Sequence, residues 1–158
     1  MTNKYIYFIA NWKMFGNLQS LNSVSKVASF LKKFKKNKIR LVYCPPATLI
    51  NSLSKKLKSS PIDVGAQNCH QDETYGAYTG HMNPYMLKDA GAKYIILGHS
   101  ENRQYGENNK LINLKIRNSI KSGLKIIFCI GETLSQKRKK NTKRILSQQI
   151  IQGLNNIK

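Results

Sequence analysis

Residues 94–101 read Tyr-Ile-Ile-Leu-Gly-His-Ser-Glu: four apolar side chains in a row, a glycine, then three side chains able to do chemistry. A strand that is apolar on consecutive residues is buried on both faces, as in a parallel sheet covered by helices. Residues 125–130, Lys-Ile-Ile-Phe-Cys-Ile, carry the same pattern. Further candidate strands are Tyr5–Ala10, Arg40–Cys44 and Asp63–Gln67, with Tyr94–Leu97 and Lys125–Ile130 completing five. Between them the spacing predicts helices over Leu18–Phe34, Ala47–Lys58, Pro84–Ala90, Asn109–Ser122 and Asn141–Asn155. In the first, Leu21, Val24, Val27, Ala28 and Leu31 share a face; in the last, Ile145, Leu146, Ile150 and Leu154 recur near helical spacing. Five strands alternating with five helices make an α/β fold built from βαβ units. No linker divides residues 1–158, which are read as one domain.

The charge is extreme: 27 Lys and Arg against 7 Asp and Glu give a net +20. A nucleic-acid partner has to be weighed on that ground. The basic residues, however, are scattered through 31–38, 54–58 and 136–144 and interleaved mainly with Asn and Ser, with Phe34 the one aromatic among them, rather than with a set of aromatics that could stack on bases. A solvated surface is the expected reading, with no nucleic-acid partner. No apolar run is long enough to span a membrane, and the apolar core of the amino terminus is too short for a secretory signal, so the cytoplasm is expected. Cys44, Cys69 and Cys129 are odd in number and form no CxxC pair, which predicts reduced thiols. No metal is assigned, since adjacent Cys69 and His70 are poorly spaced for one ion and His81 stands alone. Nucleotide-loop, nucleophile-elbow and zinc-protease motifs are absent.

In a parallel α/β sheet, ligands bind at the carboxyl ends of the strands. The first strand delivers Asn11 and Lys13, two apart and so on one side of an extended chain. The fourth delivers His99, Ser100 and Glu101, and the fifth Cys129 and Glu132. Each alone is ordinary: a surface lysine, a capping amide, a structural histidine, a solvated acid. Joint placement at one end of the sheet points to an enzyme. The irregular stretch Asn68–Pro84 is too long for a plain connection in such a domain and is read as functional.

The segments 11–17 (NWKMFGN), 43–50 (YCPPATLI), 64–68 (VGAQN), 76–80 (GAYTG), 94–107 (YIILGHSENRQYGE) and 129–134 (CIGETL) strongly resemble the triosephosphate isomerases, in that family's order and spacing. The resemblance implies a (β/α)8 barrel that interconverts dihydroxyacetone phosphate and glyceraldehyde 3-phosphate, a step of glycolysis and gluconeogenesis, through an enediolate and without a cofactor. His99 matches the family's electrophile, a neutral imidazole at a helix amino terminus. Lys13 matches the lysine that brings positive charge to substrate, and Asn11 the amide that orients it. Glu101 matches the acid paired with that lysine, Ser100 a hydroxyl near the resting base, and Cys129 a buried cysteine close by. The segment Gln67–Asn83 matches a loop that reaches into a neighbouring subunit, with Thr79 at the contact, so a homodimer is implied. His81 stands where the family usually has glutamate, Asn83 where serine is usual, and Asn102 where the first of two arginines commonly follows the glutamate.

A complete barrel of this kind has eight βα units and about 250 residues. Five units here predict an incomplete barrel without the strand end that carries the glutamate base, the lid, or the phosphate cradle. The expectation is an amino-terminal portion of an isomerase, inactive alone. The alternative is a half-barrel serving as a basic module for nucleic acid or another acidic partner.

Overall fold

The computed structural model describes residues 5–33 and 38–157. Five strands, β1 Ile6–Asn11, β2 Ile39–Cys44, β3 Ile62–Ala66, β4 Tyr94–Leu97 and β5 Lys125–Phe128, form one sheet in the order β1-β2-β3-β4-β5. All four pairings are parallel, with Asn11 opposite Cys44, Tyr43 opposite Val64, Gly65 opposite Tyr94 and Leu97 opposite Phe128. The helices are α1 Asn22–Lys32, α2 Ala47–Lys56, α3 Pro84–Asp89, α4 Ser100–Gln104, α5 Asn109–Lys121, α6 Leu134–Arg138 and α7 Thr142–Gly153. A 3-10 turn over Gln19–Leu21 leads into α1, and the last residue of the predicted first helix, Phe34, lies outside the described residues.

The simple alternation of five and five is therefore corrected, because α4 and α6 were not predicted. Both are five residues long, too short to show an apolar period. What starts them is capping chemistry. The imidazole of His99 caps α4, and Thr133 with Gln136 forms a reciprocal capping box on α6. β5 also stops at Phe128, two residues before the predicted end, and Gln67 falls beyond β3.

The sheet is curled. Tyr7 of β1 and Tyr94 of β4 have ring centroids 6.3 Å apart, although three strand spacings in a flat sheet amount to about 14 Å. Gly65 makes the curl possible, since a Cβ there would lie 2.6 Å from Cys44 Sγ and 3.3 Å from Tyr94 Cβ. Inside the curve sits a small cluster of Val42, Cys44, Tyr94 and Ile96, joined by Ile127 and Cys129. The larger core lies between sheet and helices, where Val24, Ile50, Leu53, Ile95, Leu97 and Ile112 are buried to 1% exposure or less. β1 is exposed on both faces, with Ile6 at 60% and Tyr7 at 47%, and it lies at an edge of the sheet, paired among the described strands with β2 alone.

Candidate active site at the carboxyl ends of the strands

Lys13, just past β1, has a backbone φ of 54°, in the left-handed region that non-glycine residues rarely occupy. Side chains hold it there. Asn11 Oδ1 accepts from the Lys13 amide at 3.0 Å, and Gln67 Nε2 donates to the Lys13 carbonyl at 2.8 Å and to the Cys44 carbonyl at 2.9 Å. The amide of Gln67 is thus engaged within its own chain, bridging the ends of β1 and β2. Lys13 Nζ then reaches 2.7 Å to Glu101 Oε1 across the mouth of the sheet.

Gly98 ends β4 with φ 76°, turning the chain so that His99 becomes the residue before α4. The Glu101 backbone N–H donates to His99 Nδ1 at 3.3 Å, and Glu101 Oε2 lies 3.4 Å from the same nitrogen. With Nδ1 held by the Glu101 backbone, Nε2 is the ring nitrogen left to act as a donor. His99 divides two hollows. One, of about 650 Å³, also has Asn11, Lys13, Gln67 and Glu101 on its walls; the other, of about 590 Å³, has Ser100, Arg103, Cys129 and Glu132. The predicted Asn11, Lys13, His99 and Glu101 are brought together, while Ser100 and Cys129 lie on the far side of the imidazole. Glu132 is drawn aside by Thr142, whose hydroxyl donates to its Oε1 at 3.1 Å. Thr79 is exposed on the long loop, with no side-chain hydrogen bond among the described residues. Ring contacts of His70 with Tyr78 and His81 order that loop internally.

The hydrogen bond from Lys13 holds the Glu101 carboxyl below the usual carboxylate range, against a smaller opposing effect of desolvation. A lowered acid in the folded state adds stability above the ordinary glutamate pKa, and that contribution is lost as pH falls through the lowered value. Both side chains are about half exposed, so solvent screens the pair. A carboxyl-carbon NMR titration is expected to place the Glu101 midpoint below that of an unperturbed glutamate, and Lys13→Met to move it back up. An unchanged midpoint in that variant would show that the pair does not form in solution. Burial pushes the thiols of Cys44 to about 12 and Cys69 to about 11, and raises Cys129, so none is prepared to act as a nucleophile.

Two positioning residues escaped the sequence reading. Arg103 ties three places together, donating from Nε to the Gly98 carbonyl at 2.7 Å, from Nη1 to Asn109 Oδ1 at 2.7 Å and from Nη2 to the Cys129 carbonyl at 3.3 Å. Gln149 clamps Gly131 through paired 2.8 Å bonds to its N–H and carbonyl, fixing the loop after β5. Gln149 did leave a signal. It lies four residues after Ile145 and four before Gly153, a polar side chain on the buried stripe of α7.

A family model described as triosephosphate isomerase matches residues 6–158. Among curated proteins, the triosephosphate isomerase of Dictyoglomus turgidum is 38% identical over 151 residues, which are 92% of this chain and 58% of that protein. That of Carboxydothermus hydrogenoformans is 41% identical over 150 residues, 93% of this chain and 59% of that protein. The crystal structure of triosephosphate isomerase from Bartonella henselae superposes with a TM-score of 0.90 at 33% identity, covering 96% of this chain and 62% of that one. The chain spans a little under three fifths of the length of these curated relatives. Among the described residues, no helix is long and apolar enough to cross a membrane, and no group of three or more His, Cys, Asp or Glu could hold a metal ion.

Proposed function

The chain belongs to the triosephosphate isomerase family, with the fold of an incomplete (β/α)8 barrel, and from that premise we propose that it forms the electrophilic half of an active site interconverting dihydroxyacetone phosphate and glyceraldehyde 3-phosphate. The observation that carries this reading is the contact of the Glu101 backbone N–H with His99 Nδ1 at 3.3 Å, beside Lys13 at the same mouth. With Nδ1 accepting the Glu101 N–H, Nε2–H is the donor available to substrate, and it would hydrogen-bond the oxygens of an enediolate as negative charge develops on them. Lys13 adds a cation at the same mouth, and Asn11, whose Oδ1 is taken by the Lys13 amide, keeps its NH2 group for the substrate. Glu101 sets the position of Lys13. Ser100 stands beside His99 toward the expected resting base, and Cys129 acts by packing.

Neither nearby acid is suited to be that base, because Glu101 is engaged by Lys13 and Glu132 by Thr142. In this reading the base, the lid and the phosphate cradle come from βα units beyond the five described, and the 158 residues alone turn over no substrate. The protein works in the cytoplasm, in glycolysis and gluconeogenesis, as a homodimer whose contact runs through the loop of Thr79 and Gln67. The test is to fuse to this chain the carboxyl-terminal two fifths of the Dictyoglomus turgidum relative. Turnover of glyceraldehyde 3-phosphate by the fusion, and none by the chain alone, is the expected result. A folded fusion without turnover refutes the reading.

A further inference from the structure

Six of the eight residues from 137 to 144 are Lys or Arg: Lys137, Arg138, Lys139, Lys140, Lys143 and Arg144. The fold gathers them on one knuckle, where α6 ends, the chain turns through Lys140 at φ 55°, and α7 begins. All six are exposed, and among the described residues none is paired with an acid. The nearest acid in sequence, Glu132, is partly buried and bonded to Thr142.

This arrangement breaks local rules in the free protein. Like charges one turn apart repel, and Lys143 and Arg144 stand in the first turn of α7, where the helix dipole disfavours cations. No acid lies in that turn, and Asn141 makes no side-chain cap. A local cost without a folding benefit is the mark of a surface shaped for a partner. We propose that this knuckle binds the phosphodiester backbone of a double-helical nucleic acid, independently of sequence.

Charge density and composition favour that partner over a membrane. A duplex carries one phosphate charge for about every 1.7 Å of its axis, so about 10 Å of duplex matches the charge of the six cations. No apolar residue lies between 137 and 144 to enter a bilayer, and no aromatic to stack on a base. The sequence sets these six within eight residues; the structure adds that all are exposed and that none is paired with an acid among the described residues.

The test is fluorescence anisotropy of a labelled RNA duplex of about 20 base pairs with the full 158-residue chain, between about 50 and 200 mM salt. Replacing all six by Gln is expected to weaken binding at least tenfold and to flatten the dependence on salt. The control replaces Lys26, Lys32, Lys33, Lys55, Lys58 and Lys110 by Gln, removing the same charge from exposed positions elsewhere; it is expected to retain affinity within about threefold. Circular dichroism and the thermal midpoint verify that both variants fold. Equal losses in the two variants overturn the proposal, since net charge alone would then explain binding. So does a knuckle-dependent affinity for phosphatidylserine vesicles or polyglutamate without one for the duplex.

Discussion

In the chain fused to the carboxyl-terminal two fifths of a relative, His99→Asn is expected to lower kcat by about 10² to 10³, the range seen when one preorganised donor to a developing oxyanion is removed. Asparagine is chosen because it separates two roles. His99 caps α4 by accepting the Glu101 N–H, and asparagine is among the best residues at a helix N-cap, so the local fold should stand. It has no atom at the position of Nε2, so the donor to substrate is lost. The thermal midpoint should stay within about one degree of the parent, inside the shift of about 2–4 °C that a 1 kcal/mol loss gives a domain of 150–250 residues. KM should move far less than kcat, because the lost interaction strengthens only as charge builds. A variant with unchanged kcat would remove His99 from the mechanism. One that loses kcat only in step with its thermal midpoint would reduce it to a cap.

Gly98→Ala is expected to be the most destabilising single-methyl substitution in the site. The residue sits at φ 76°, and an added Cβ would lie 2.8 Å from the Cys129 carbonyl, 3.0 Å from Arg103 Nη2 and 3.2 Å from Phe128 Cε2. Left-handed backbone costs a non-glycine residue about 1–2 kcal/mol, and overpacking against fixed neighbours adds about 1–3 kcal/mol. The sum, about 2–5 kcal/mol, is a large share of the 5–15 kcal/mol that typically holds a domain together. Gly106→Ala is the matched control. That residue also has positive φ, at 101°, but an added Cβ would meet nothing within 4 Å, so only the backbone term applies. Urea unfolding of the two variants should differ by the clash alone. Equal midpoints would mean that β4 and β5 relax apart freely at this level, which the Arg103 bridge between Gly98 and Cys129 argues against.

Much of this architecture was legible from residue identity. Tyr94–Leu97 was found to the residue because four consecutive apolar side chains between turns have no other economical use, and the structure buries all four. Lys13, His99 and Glu101 were legible because each lies within four residues of a strand's carboxyl end, and parallel sheets gather such positions. The supporting framework was harder to see. Gln67, Arg103 and Gln149 all bind backbone groups, which carry no residue identity of their own, and only Gln149 left a trace, as a polar residue on the buried stripe of α7. β1 was legible as a strand from its apolar run, but its exposure was not, because burial depends on what covers a strand's faces and its own residues do not record that.

The order of strands in the sheet also bears on how the chain reaches this state. Each strand pairs with the one made just before it, so every ladder closes a loop of only one or two helices and their connections. Such short closures have a small entropic penalty and can form as the chain leaves the ribosome, amino terminus first. β1 and β2 can pair while β5 is still being synthesised. The sheet thus needs no late joining of distant ends, and its assembly should proceed in the direction of translation.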